Sequence, residues 1–229
     1  MNQLEKDKLN YIEKFKGVAS VKQRLILLSV GFLLVLGGCG SKHEAKVFST
    51  LNDHIASQNE CNVNNQTLTE LLSKETDIYN QIIEKGLDPF EAVASLIEEG
   101  KINVNQSKTY LTEYQSCILK ARVDQITLEK ENHSTKEESA KLDTEALLTQ
   151  YVDYETSLMD YVDALLKLNE AQADFYHEVN ATITMVRLDE LVTAINLAID
   201  EANATSVLHQ QALAAFNTSY TKYYETYIK

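Results

Sequence analysis

Between Leu147 and Val179, ten residues recur at alternating steps of four and three: Leu147, Tyr151, Tyr154, Leu158, Tyr161, Leu165, Leu168, Gln172, Phe175 and Val179. A helix turns once in about 3.6 residues, so this spacing holds all ten on one face and leaves the charged residues between them on the other. A second stripe of the same period runs through Val192, Ile195, Ile199, Ala202, Ser206, His209, Leu213, Phe216, Tyr220, Tyr223 and Tyr227. A third joins Phe90, Val93, Ile97, Gly100, Val104, Ser107, Leu111, Tyr114, Ile118, Ala121, Gln125 and Leu128. Nearest the N-terminus the pattern is ragged. Phe48, Leu51 and Ile55 open a stripe that "SQNECNVNNQ" interrupts before Leu68, Leu72, Tyr79 and Ile82 resume it, which predicts a kink or a loosely packed stretch.

The breaks between stripes are polar. In "GLDPFE", Gly86 suits the position past a helix end, Asp88 an N-cap, Pro89 the first turn of the next helix, and Glu91 a capping-box partner for Asp88. "EKENHSTKEES" (129–139) marks a second break with Ser134 or Thr135 as cap, and "NATITMVRLDE" (180–190) a third, with the new helix starting near Asp189. Four segments of about 40 residues, each about 60 Å long as a helix, joined by short turns, predict an all-α fold: an elongated antiparallel four-helix bundle with coiled-coil-like heptad packing over residues 44–229. After Gly40 the only helix breakers are Gly86, Pro89 and Gly100, which speaks against sheet architectures.

Ahead of the stripes the pattern changes character. "KQR" (22–24) supplies positive charge, "LILLSVGFLLVL" (25–36) an apolar run of secretory-signal length, and Leu36-Gly37-Gly38-Cys39 the form of a bacterial lipobox. Small residues let a membrane-embedded peptidase approach the backbone, and the thiol carries a diacylglyceryl thioether. Residues 1–38 therefore read as a signal peptide, Cys39 as the lipidation site, and 39–43 as a lipidated N-terminus with a short tether. Residues 1–20 read as a gene-start extension or as a cytosolic segment removed with the signal. Two or three acyl chains hold a protein stably on a bilayer, so the expected location is the extracytoplasmic face of the cell membrane.

Cleavage before Cys39 would leave 15 basic against 31 acidic side chains, a net charge of −16. Such a surface is repelled by anionic headgroups and teichoic acids and excludes nucleic acid as a partner. In an oxidising compartment Cys61 and Cys117 remain available to each other. If the first two segments are antiparallel about Gly86 to Pro89, residues pair when their numbers sum to about 175. The two cysteines satisfy this within one turn, so they form a disulfide or remain two buried thiols.

No nucleophile elbow, phosphate loop, zinc-type pair or Glu-x-x-His pair is present, so no catalytic residue, cofactor or metal site is assigned and the chain reads as a non-enzyme. Asp174 and His177 form one Asp-x-x-His, and Gln172 and His209 occupy stripe positions. They read as register-setting polar groups or, alternatively, as ligands of a metal- or small-molecule-binding bundle. Near the C-terminus, Tyr220, Tyr223, Tyr224 and Tyr227 read as core packing or as a glycan-stacking surface.

Taken with the lipobox and the acidic helices, "DIYNQIIEKGLDPFEAV" (77–93), "YVDYETSLMDYVDALLKLNEAQADFY" (151–176) and the tyrosine-rich end resemble the YkyA-like family of cell-wall-binding lipoproteins of Gram-positive bacteria. The resemblance implies a helical bundle at the cell surface and transfers no catalytic residues. The chain departs from the family in carrying Cys61 and Cys117 and the polar interruption of the first stripe. Expected partners are the outer leaflet of the cytoplasmic membrane, through Cys39, and the cell wall or a membrane-proximal protein.

Overall fold

The structure, a computed structural model, describes residues 42–87, 89–122, 130 and 137–229. The stripes become five helices: α1 Lys42–Glu60, α2 Asn65–Lys85, α3 Glu91–Ala121, α4 Glu138–Glu178 and α5 Met185–Tyr227. No strand occurs among the described residues, and the fold is all-α. The interruption of the first stripe is a tight 3-10 turn, Cys61–Asn64, that separates α1 from α2.

Each break has a local cause. At the end of α2, Gly86 adopts φ 73°, a left-handed conformation that a side chain would strain, and its N–H closes the helix on the Ile82 carbonyl at 2.9 Å. Asp88, Ser134 and Thr135, expected as caps, and Gln125 and Leu128, expected on the third stripe, lie outside the described residues. The last break differs from expectation. α5 starts at Met185, four residues ahead of Asp189, because Thr184 caps it: Thr184 Oγ1 accepts the Arg187 N–H at 3.2 Å. Asn180 holds the preceding turn by accepting from the Thr182 N–H and hydroxyl, and the Arg187 guanidinium clamps Glu178 with two bonds of 2.5 and 2.7 Å.

The described chain divides into two compact units. In the first, built from Asn65–Leu111 and Leu166–Asp200, four helical segments enclose Leu72, Ile82, Val93, Ile97, Leu168, Phe175 and Val192. α2 and α3 run antiparallel, as expected about Gly86: the Asn103 amide reaches the Leu71 carbonyl at 2.8 Å, and Lys74 pairs with Glu99. The second unit, built from 42–64, Thr112–Leu165 and Glu201–Lys229, encloses Leu51, Ile55, Ile118, Tyr151, Leu158 and Phe216. There α4 and α5 are antiparallel through Ser157 with His209 and Thr144 with Tyr223. All ten positions of the stripe from Leu147 to Val179 are buried, because burial follows the face that the period selects.

Gly100 shows how tight this packing is. A Cβ built there would stand 2.3 Å from Cε1 of Tyr176, so the tyrosine ring lies directly on the α3 backbone. Glycine inside a helix costs about 1 kcal/mol relative to alanine, which the close approach offsets. Gly100→Ala is expected to destabilise the protein by about 1–2 kcal/mol, since overpacking outweighs the gain in helix propensity. In a Tyr176→Leu background the same substitution should turn neutral or stabilising, and urea unfolding of the four variants reads the coupling.

Candidate functional site

The stripe residues at the C-terminal end of α5 meet α1 and the start of α4 within the second unit. Phe48 of α1 stacks on Tyr220 with ring centroids 4.8 Å apart and touches Tyr224 at 5.5 Å. The Tyr220 hydroxyl donates to Asn52 Oδ1, and the Tyr223 hydroxyl shares a 3.0 Å bond with Thr144. Tyr220 and Tyr223 are 5% and 2% exposed, so neither offers a free ring face to a sugar. The four-tyrosine stacking surface is thereby corrected: steps of three and four put Tyr220 and Tyr223 on the buried face, leaving Tyr224 and Tyr227 half-buried at its edge.

At that edge the Tyr227 hydroxyl donates to Asp143 Oδ2 at 2.8 Å, and Lys222 reaches Asp143 Oδ1 at 2.9 Å. These two donors hold the Asp143 carboxyl below its usual range, while burial and the bond to Asp143 push Tyr227 up to about 12. A cleft of about 40 Å³ beside them is lined by Asp143, Ala146, Leu147, Ser219, Lys222 and Tyr223.

His209 and Gln172 are both buried, but in different units, and Asp174 and His177 are exposed. The four are not gathered, and no group of three or more His, Cys, Asp or Glu placed to hold a metal occurs among the described residues. His209 is enclosed by the rings of Tyr154 at 5.6 Å and Tyr161 at 6.2 Å, with Nδ1 3.3 Å from Ser157 Oγ. Burial lowers it to about 4, so it is a neutral imidazole at neutral pH. Cys61 and Cys117 are bonded, with Cα atoms 5.7 Å apart, joining the turn after α1 to α3. Cys39 and the leader lie outside the described residues.

Polar groups that the stripes alone did not single out include two of the buried glutamates, Glu155 and Glu75. Glu155 of α4 is fully partnered: Gln58 Nε2 donates to it at 2.7 Å, the Tyr151 hydroxyl at 2.9 Å, and Arg122 lies 3.6 Å away. Glu75 of α2 receives the Asn103 amide at 3.1 Å and has the Tyr176 hydroxyl beside it, and burial pushes its carboxyl up to about 7. A signal for Glu75 was present, since it fills the position between Leu72 and Tyr79 where the period calls for an apolar residue. Glu155 sits beside its stripe and gave none.

The model of the YkyA family, described as "Putative cell-wall binding lipoprotein", matches residues 42–226. Searches of curated proteins and of solved structures gave no match.

Proposed function

The chain belongs to the YkyA family, and from that premise we propose that it is a surface lipoprotein without catalytic activity. Lipidated Cys39 anchors it to the outer leaflet of the cytoplasmic membrane, and the helical domain binds the cell wall. The observation that carries this reading is the family match across the whole helical region. The lipobox at Leu36–Cys39 supports the anchor. The edge formed by Tyr224, Tyr227, Asp143 and Lys222 supports a glycan contact, because it combines ring faces with hydrogen-bonding groups that a sugar can share.

The test is co-sedimentation of the detergent-solubilised full chain with purified sacculi, with and without teichoic acid, over a salt series. Bare sacculi should bind it at all salt concentrations. The net charge, −13 for the full chain, should weaken binding to teichoic-acid-bearing walls at low salt, and that difference should shrink as the Debye length falls. Tyr224→Ala with Tyr227→Ala should reduce binding to bare sacculi at a temperature where the variant is still folded, its melting temperature falling by a few degrees as the contacts to Phe48 and Asp143 are lost. Absence of sedimentation with either preparation would remove the wall as the partner. The anchor is read separately, by Cys39→Ala, which should move the protein out of the membrane fraction.

A further inference from the structure

The first unit carries an unusual imbalance in its core. Among the described residues, the buried side-chain polar atoms without a hydrogen-bond partner are all oxygens, and all but Glu44 Oε2 belong to this unit: Glu75 Oε1, Asn103 Oδ1, Ser107 Oγ, Asn169 Oδ1, Gln172 Oε1 and the Tyr176 hydroxyl. Buried polar groups are ordinarily paired, and each orphan costs about 1–3 kcal/mol.

These oxygens share one stretch of the unit. Asn103 and Ser107 are one turn apart on α3, and Asn103 Nδ2 donates to both the Leu71 carbonyl and Glu75 Oε2. Asn169, Gln172 and Tyr176 follow one another on α4 at steps of three and four. Asn169 Nδ2 donates to the Val104 carbonyl at 2.9 Å, while the Tyr176 ring lies on Gly100. The whole set is level with Gly100 to Ser107, about 10 Å of α3. The nitrogens of both asparagines are committed to acceptors, which fixes the amide orientation and leaves each Oδ1 without a donor. The Tyr176 hydroxyl is the hydrogen-bonding neighbour of Glu75, in a pairing of poor geometry that leaves Glu75 Oε1 without a well-formed bond.

Comparison with Glu155 shows what is missing. The buried carboxylate of the second unit has an arginine, an amide and a hydroxyl around it. The groups that bear on Glu75 are the Tyr176 hydroxyl and the Asn103 amide, with no lysine or arginine among them. Below the value near 7 to which burial raises it, Glu75 is neutralised by a proton; above it, the carboxylate out of water needs a compensating charge, and a surround rich in oxygen suits a hard cation.

We propose that Glu75, Asn103, Asn169, Gln172 and Tyr176 form an internal binding site for a monovalent alkali cation, sodium or potassium. One carboxylate among neutral oxygens balances one positive charge. A divalent ion would leave an uncompensated charge in the core and is disfavoured for the same reason as a bare carboxylate. The cation would tie α2, α3 and α4 together within the unit.

The experiment is thermal unfolding of the full chain in detergent at pH 8.5, above the value near 7 to which burial raises Glu75, in equal concentrations of sodium, potassium or choline chloride. Sodium or potassium should raise the midpoint over choline by about 5 °C, rising with the logarithm of concentration. Glu75→Gln, which keeps the shape and removes the charge, should abolish the difference. Gln172→Leu removes one oxygen without touching the carboxylate and should weaken the apparent affinity about tenfold, the order expected for one outer ligand partner. Equal midpoints in all three salts would overturn the proposal and assign the oxygens to buried water. A cation effect that persists in Glu75→Gln would place the ion elsewhere. Stabilisation by calcium at equal ionic strength, with sodium and potassium silent, would overturn the monovalent assignment.

Discussion

Replacing Cys61 and Cys117 together by serine is expected to destabilise the protein by roughly 4 kcal/mol, lowering the melting temperature by about 10 °C. The bond closes a loop with a sequence separation of 56, and a loop of that size leaves the unfolded chain much freer once it is opened. The structure adds a local reason for a large effect. The link sits at the 3-10 turn where the α1–α2 backbone is interrupted, so it replaces helix continuity with a covalent tie to α3. Around it, His54 Nδ1 lies 3.3 Å from the Ala121 carbonyl, and the Tyr114 hydroxyl is 3.5 Å from Asn62, both weak contacts. Dithiothreitol should lower the wild-type melting temperature by the same amount and leave the double variant unmoved. Hydrogen exchange should show α1 losing protection first. A double variant that melts with the wild type would mean that packing of Phe48, Leu51 and Ile55 alone secures α1.

The second large effect concerns acid. His209 is a base whose folded value, about 4, lies below its unfolded value of 6.5. Between these values the unfolded chain binds a proton that the native chain does not, so stability is complete above about pH 6.5 and falls as the pH drops toward 4. A shift of this size corresponds to about 3 kcal/mol. The cause is enclosure by the Tyr154 and Tyr161 rings, with Ser157 Oγ the one polar atom at Nδ1 and no carboxylate bonded to the ring. His209→Phe fills the same space with a ring that cannot take the proton. Urea unfolding at pH 7 and pH 4 should show the wild type losing about 3 kcal/mol more than the variant across that interval. The difference between the two proteins isolates His209 from the carboxylates, which titrate in both. Equal losses would mean that the imidazolium finds solvent or a partner in the native state.

Much of the helical framework was legible because burying one face of a helix is a local property of a 3.6-residue repeat. The stripe from Leu147 to Val179 predicts α4 and ten of its buried positions, while Leu148, Glu155, Val162, Asn169 and Tyr176 beside it are buried as well. Gly86 announces the end of α2, and the polar run around Cys61 announces the turn. The start of α5 was misread because Asp189 is a good cap by type, whereas Thr184 has the N–H of Arg187 within reach. The aromatic end was half legible. Periodicity places Tyr220 and Tyr223 inside, but a list of tyrosines gives equal weight to those on the buried face and those at its rim.

The division between the two sources of information is clearest in the buried glutamates. Sequence alone determined that this chain makes long amphipathic helices, where they break, that its surface is acidic, and that Cys61 and Cys117 could lie at one height. Each follows from spacing or composition along the chain. Only the tertiary structure decided which polar groups meet, because that depends on the rotation and register of one helix against its neighbours. Glu155 is brought to Gln58, Tyr151 and Arg122, whereas Glu75 is brought to the Asn103 amide and the Tyr176 hydroxyl, with no cationic side chain among the groups that bear on it. The two residues are chemically identical along the chain, and the charge that each needs beside it differs because the neighbouring helices present different atoms.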